Sequence, residues 1–171
     1  MTDLNVKPDA QAVSTAESIF DWAELERSSK SPDYYRLNFF YRIAANLGHA
    51  PSQNNLGTMF LRGLGVKKNF VEAADLYRKA ALQGEPAAQF NLAKCYQRGE
   101  GVPRDLVKAF EWFELAAGQG DIDAMYELGT AHRFGQGVPV DLAVSEQWYQ
   151  AAGKQRNTSR PTYIPFRHPN L

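Results

Sequence analysis

Three short glycine loops, one cysteine and three histidines are the residues of this chain that could most readily do chemistry. The loops are Gly63-Leu64-Gly65, Gly99-Glu100-Gly101 and Gly135-Gln136-Gly137. A glycine loop that opens a helix can cradle a phosphate with its backbone N–H groups. The dinucleotide-binding form needs a third glycine after a strand. Gly63-Leu64-Gly65-Val66-Lys67-Lys68 has no third glycine and no strand before it. Three copies at one period read instead as connectors between helices. Cys95 shares its periodic column with Met59 and Ala131, which reads as a small buried residue rather than a nucleophile. His49, His132 and His168 are scattered and lack ligand partners such as a second cysteine. No helix carries the paired histidines of a metalloprotease, and there is no nucleophile elbow and no P-loop lysine. The expectation is a protein that is not an enzyme, with no cofactor and no metal.

What remains is polar chemistry at a fixed interval. Asn55, Asn91 and Glu127 share one column, and Thr58, Lys94 and Thr130 share another three residues on. Asparagine can both donate to and accept from a peptide backbone. A column of such residues can grip an extended segment, so these six are the candidate partner-binding residues. The competing reading is a solvated helix face, which is the rule on surface helices.

These columns exist because the chain repeats at a step of 36 residues. Gly48, Gly84 and Gly120 keep that step, as do Gly65, Gly101 and Gly137, each followed by valine. A strict period in this range marks stacked repeats, each contacting mainly its neighbours. Gln53, Leu56, Gly57 and Phe60 fall at i, i+3, i+4, i+7, which is one face of a helix. That helix is expected to stop at Gly63, Gly99 and Gly135. Asn69, Asp105 and Asp141 are placed to cap a second helix, and Asn69 with Glu72 resembles a capping box. The second helix shows the same face through Ala73, Leu76, Tyr77 and Ala80, and through Ala109, Trp112, Phe113 and Ala116. The aromatic ladder of Tyr77, Trp112, Phe113, Trp148 and Tyr149 therefore reads as inter-repeat core and not as a ligand cage. The register extends backwards to a worn copy with Leu37, Phe40, Tyr41 and Ala44, preceded by a helix near Ala16 to Arg27. Four repeats follow, roughly 12–47, 48–83, 84–119 and 120–155, the first degenerate.

Bulk properties limit the partners. Lysine plus arginine equals aspartate plus glutamate, 19 against 19, so no general field for nucleic acid exists. Residues Met1 to Ser14 do not read as a signal peptide, and no run approaches the roughly 18 apolar residues of a membrane helix. Asn157-Thr158-Ser159 matches a glycosylation acceptor, read as chance without secretion. A cytoplasmic protein without membrane contact is expected. Residues 1–11 read as a flexible leader, 12–155 as the solenoid and 156–171 as a Pro-rich basic tail. The tail has Arg156, Arg160, Arg167 and His168 with no acid, and Tyr163, Ile164 and Phe166 lie between its prolines. Between Met1 and Pro32 six acids face three bases. Disorder is the plain reading of the tail. Its aromatics and charge also support docking, including a homodimer through the C-terminal tail.

The segments Ala88-Gln89-Phe90-Asn91-Leu92-Ala93, Gly99-Glu100-Gly101-Val102-Pro103-Arg104-Asp105 and Ala109-Phe110-Glu111-Trp112-Phe113 resemble the Sel1-like repeat family, relatives of the tetratricopeptide repeats. The resemblance departs at His132, where an aromatic is usual, at Ser145, where alanine is usual, and through the first repeat. It implies an all-α fold of antiparallel helix pairs stacked into a right-handed superhelix with a concave groove. It also implies an adaptor, scaffold or regulatory subunit that binds a protein partner. The alternative is a cognate immunity or inhibitor protein that blocks a single toxin or enzyme.

Overall fold

The computed structural model describes residues 10–158. The leader expected over 1–11 and the tail expected over 156–171 lie largely outside them. Eight helices occupy the described residues: α1 (Ala10–Arg27), α2 (Tyr34–Asn46), α3 (Ala50–Arg62), α4 (Phe70–Leu82), α5 (Pro86–Arg98), α6 (Leu106–Gly118), α7 (Ile122–Phe134) and α8 (Leu142–Thr158). Each packs on its chain neighbours, so the pairs α1–α2, α3–α4, α5–α6 and α7–α8 stack in sequence order as a helical repeat solenoid. Residue 156 is helical, and α8 runs on to Thr158.

Local chemistry sets the boundaries. Gly63, Gly99 and Gly135 end the first helices in the left-handed region, with φ of 74, 73 and 70°. The second helices are capped by side chains: Asp33 accepts from Tyr35 and Arg36, Asn69 from Val71 and Glu72, Asp105 from Lys108, and Asp141 from Val144. The reciprocal half of the capping box is replaced. The Asn69 N–H donates to the Phe60 carbonyl at 3.0 Å, and Asp105 and Asp141 donate in the same way to Tyr96 and His132. A backbone bond to the preceding helix thus takes the donor that Glu72 was expected to serve.

The second glycine of each loop does something the local sequence does not show. At Gly65, Gly101 and Gly137 a Cβ would lie 2.3, 2.0 and 2.1 Å from the carbonyl oxygens of Tyr34, Phe70 and Leu106. These are backbone atoms in the first turn of the preceding repeat's second helix. The loop docks one repeat on the last, backbone against backbone, and only glycine permits that approach.

The core runs along the stack as three adjoining clusters. The first includes Leu37, Tyr41, Leu56 and Met59, the second Tyr77, Leu92 and Cys95, and the third Phe113, Met125 and Leu128. Trp112 and Trp148 pack against them, so with Tyr77 and Phe113 four of the five rings of the aromatic ladder belong to the core. Ser145 keeps its place among the alanines by donating to the Gly129 carbonyl at 2.8 Å.

Candidate partner-binding face

The first helices α3 and α5 form the inner, more covered side of the stack. No residue of α3 before Arg62, and none of α5 before Arg98, is fully exposed, and α3 approaches α5 directly. Their partner helices α4 and α6 carry exposed residues such as Asp75, Lys79, Glu111 and Glu114. The columns Asn55/Asn91/Glu127 and Thr58/Lys94/Thr130 are half-buried on the inner side.

These side chains do not stand free in water. Asn55 donates to Glu24 of α1 at 3.3 Å, and Asn91 donates to Asn54 of α3 at 2.8 Å. Lys94 of α5 pairs with Glu127 of α7 at 2.8 Å, and Gln97 donates to the same carboxylate at 3.1 Å. Glu24 also accepts from Tyr41 and is paired with Arg27. Burial and the Glu24 carboxylate hold the Tyr41 hydroxyl well above its ordinary pKa. The result is a line of donors and acceptors that crosses from one first helix to the next through all four repeats.

Thr58 and Thr130 have a different task from their column-mate Lys94. Their hydroxyls meet those of Tyr77 and Tyr149 at 3.0 and 3.1 Å. The third repeat has Phe113 in that place, with no hydroxyl to bind, and there the column holds Lys94. The small residue beside each ring follows suit: Gly57 and Gly129 lie under tyrosines, Ala93 is in the repeat with phenylalanine. The inner face therefore carries its ion pair at Lys94–Glu127, where the third repeat breaks the pattern of its neighbours.

Several bonding residues were not among the sequence candidates. Glu24 and Asn54 belong to the inner line. Gln53 and Gln89 are buried and donate to the Ala45 and Ala81 carbonyls, while Gln83 and Gln119 donate to them. Each of these first-helix polar residues sits in a column that is apolar or aromatic in another repeat: Glu24 with Phe60 and Tyr96, Asn54 with Phe90, Gln53 and Gln89 with Met125. That contrast was the available signal.

The other chemical candidates are occupied structurally. The first helix's carbonyls take the loop N–H groups, with Gly63 and Leu64 both donating to Met59, and Gly99 and Glu100 to Cys95. No phosphate cradle is left in those donors. Cys95 is buried, and its thiol is pushed up to about 11, first by burial. His49 meets Ser52 at 2.8 Å, and His132 lies edge-on to Phe110. His168 lies outside the described residues. Among the described residues no group of three or more His, Cys, Asp or Glu could hold a metal ion, and no helix is long and apolar enough to cross a membrane.

A family model described as the Sel1 repeat matches residues 50–85, 86–121 and 122–157. The chain belongs to the Sel1 repeat family. The matched Sel1 units are α3–α4, α5–α6 and α7–α8, with α1–α2 outside the match. A crystal structure of c5321, a protective antigen present in uropathogenic Escherichia coli strains displaying an SLR fold, is similar at a TM-score of 0.76 and 34% identity. It covers 88% of this chain, which spans 34% of that one. A Sel1 repeat protein from Oxalobacter formigenes gives a TM-score of 0.74 at 26% identity, covering 91% of this chain and 61% of its own. Cysteine rich protein B of Helicobacter pylori shares the fold at a TM-score of 0.56 and 23% identity, with 67% and 92% covered. This chain thus spans about a third of the first of these structures and under two thirds of the second. No curated protein matches it. Sel1 repeat proteins are protein-interaction modules.

Proposed function

We propose that the chain is a non-enzymatic adaptor or regulatory subunit that binds an extended partner polypeptide along the inner face of α1, α3, α5 and α7. The observation that carries this reading is the line of half-buried donors and acceptors from Glu24 to Glu127. Its charges balance: Arg27 and Lys94 are matched by Glu24 and Glu127. A polyanion finds no net field there. A peptide backbone, with alternating N–H and C=O groups, finds both kinds of partner. Asn91 can exchange its bond to Asn54, and Lys94 and Glu127 the bond between them, for bonds to the ligand, so the net gain per bond is modest, of order 1 kcal/mol.

Ala87 sits one turn before Asn91 on α5, on the same side of the helix, and is half-buried. Glu111 is exposed on α6. A photoreactive phenylalanine analogue placed at Ala87 should trap a partner in extracts of the native host, and the same analogue at Glu111 should not. Trapping only from Glu111 would move the binding surface to the outer helices. Recovery of a single toxic enzyme from Ala87 would keep the face and select the inhibitor reading over the adaptor.

A further inference from the structure

A terminal repeat has one face turned to water and is expected to be more polar there than the repeats inside the stack. The first repeat is less polar. Where the other three repeats carry Asp75, Glu111 and Gln147, it carries Phe39, which is 60% exposed. Where they carry Thr58, Lys94 and Thr130, it carries Trp22, also 60% exposed. Leu25, one turn on from Trp22, is 75% exposed. The rings of Trp22 and Phe39 both meet Phe40 edge-on, at 6.4 and 5.8 Å. Trp22, Leu25 and Phe40 line an open groove of about 580 Å³ formed by α1, α2 and their connector alone, with Glu26 and Arg36 among its walls. Exposed apolar residues occur along the whole stack, but only in the first repeat do the columns of Trp22 and Phe39 hold aromatic residues.

We propose that this groove is filled by the segment around Tyr163, Ile164 and Phe166 of a second copy of the chain. Chemistry and reach select that occupant. The segment from Ser159 to Leu171 offers three large apolar side chains between prolines, with Arg160 and Arg167 and no acid. The receiving helix α1 carries Glu17 and Asp21 besides Glu24 and Glu26, which are paired with Arg27 and with Arg36 of α2. The apolar side chains supply the binding, and the charge contrast orients it, since exposed pairs contribute little at cell salt.

The chain's own segment would have to run fully extended to arrive, which a second copy avoids. An extended chain covers at most about 3.5 Å per residue, so Phe166 lies within about 28 Å of Thr158 and Tyr163 within about 17 Å. Three repeat steps of about 9–10 Å separate α8 from α2. The groove also lies at the start of α2, whereas the segment leaves from the far end of α8, which adds about 15 Å along the helix axes. The gap is then over about 30 Å in a straight line. The leader has the reach, since Leu4 can span about 21 Å against about 18 Å along α1 from Ala10 to Trp22. It has the wrong chemistry: it offers Leu4 and Val6 without an aromatic, and Asp3 and Asp9 outnumber Lys7, the same sign as α1.

The test uses full-length chains. Variants Ser29→Cys, on the exposed wall of the groove, and Thr162→Cys, beside Tyr163, are mixed under mild oxidation, which spares the apolar side chains, and Cys95, buried with a raised pKa, stays out of the exchange. The expected product is a mixed disulfide of twice the 19.2 kDa chain mass, formed well in excess of either variant's own dimer. In sedimentation the unmodified chain should self-associate, and Phe166→Ser should weaken that association by about tenfold or more, or about 1.4 kcal/mol. Mixed disulfide no more abundant than the homodimers would overturn the proposal. So would ring closure within one chain carrying both cysteines at high dilution, which would show that the segment reaches its own groove. A wild-type chain that stays monomeric into the millimolar range would overturn it as well.

Discussion

Gly101→Ala should lower the melting temperature by about 10–15 °C, against about 3–5 °C for Gly84→Ala. Both glycines have positive φ, 76 and 91°. Left-handed backbone costs a non-glycine residue about 1–2 kcal/mol in either place. The difference lies in what the new methyl meets. At Gly84 nothing lies within 4 Å. At Gly101 the Cβ would sit 2.0 Å from the Phe70 oxygen and 2.4 Å from its carbon. These are backbone atoms in the first turn of α4 and cannot rotate aside. The third repeat's loop must lift from the second repeat, and the total should reach about 3–5 kcal/mol. That is a large share of the stability of a domain this size. Thermal melts followed by circular dichroism check the pair. Equal losses at the two positions would show that docking of the loop on the preceding repeat contributes nothing.

Leu92→Ala should destabilise the chain by about 3–5 kcal/mol, at the upper end of the range for such changes. Leu92 is 0% exposed, and its cluster is otherwise built largely of alanines: Ala73, Ala74, Ala80, Ala81 and Ala88, with Tyr77 and Cys95. Alanines have no side-chain freedom with which to fill a void. Their helices are held apart by their own caps and loops. The cavity therefore stays open, and the loss includes both the transfer term and the cavity term. The exposed Leu115 on α6 provides the comparison, with Leu115→Ala expected to stay within about 0.5 kcal/mol. Denaturant unfolding of both variants measures the contrast. A small loss at Leu92 would mean that α4 and α5 close on the space, and that the repeats are less rigid than their packing shows.

The repeat itself was legible because its signals are local and recur. Gly63, Gly99 and Gly135 stop helices by their own backbone freedom, and Asn69, Asp105 and Asp141 cap helices within three residues of themselves. The placement of the six polar candidates on the inner side followed from the same period. Their bonds did not, because they run to distant residues, as from Asn91 to Asn54 and from Thr58 to Tyr77. Nor was the role of Gly101 legible, since what forces glycine there is the carbonyl of Phe70, in the preceding repeat. Glu72 misled for a related reason: a carbonyl of the preceding helix had already taken the N–H it was expected to bind. The apolar end of the first repeat was visible as worn sequence, but its exposure depends on nothing among the described residues packing beyond α1.

The most direct measurement is the affinity of the trapped partner for the Asn91→Ala, Lys94→Ala double variant, read beside its helical content. Removing both side chains strips the centre of the inner line and leaves the buried core of Leu92, Ala93 and Cys95 untouched. The expected result is unchanged helicity with binding weakened about thirtyfold to a hundredfold, since two to three hydrogen bonds to the partner would be removed at about 1 kcal/mol each. Wild-type affinity in a fully helical double variant would contradict the inner face as the binding surface.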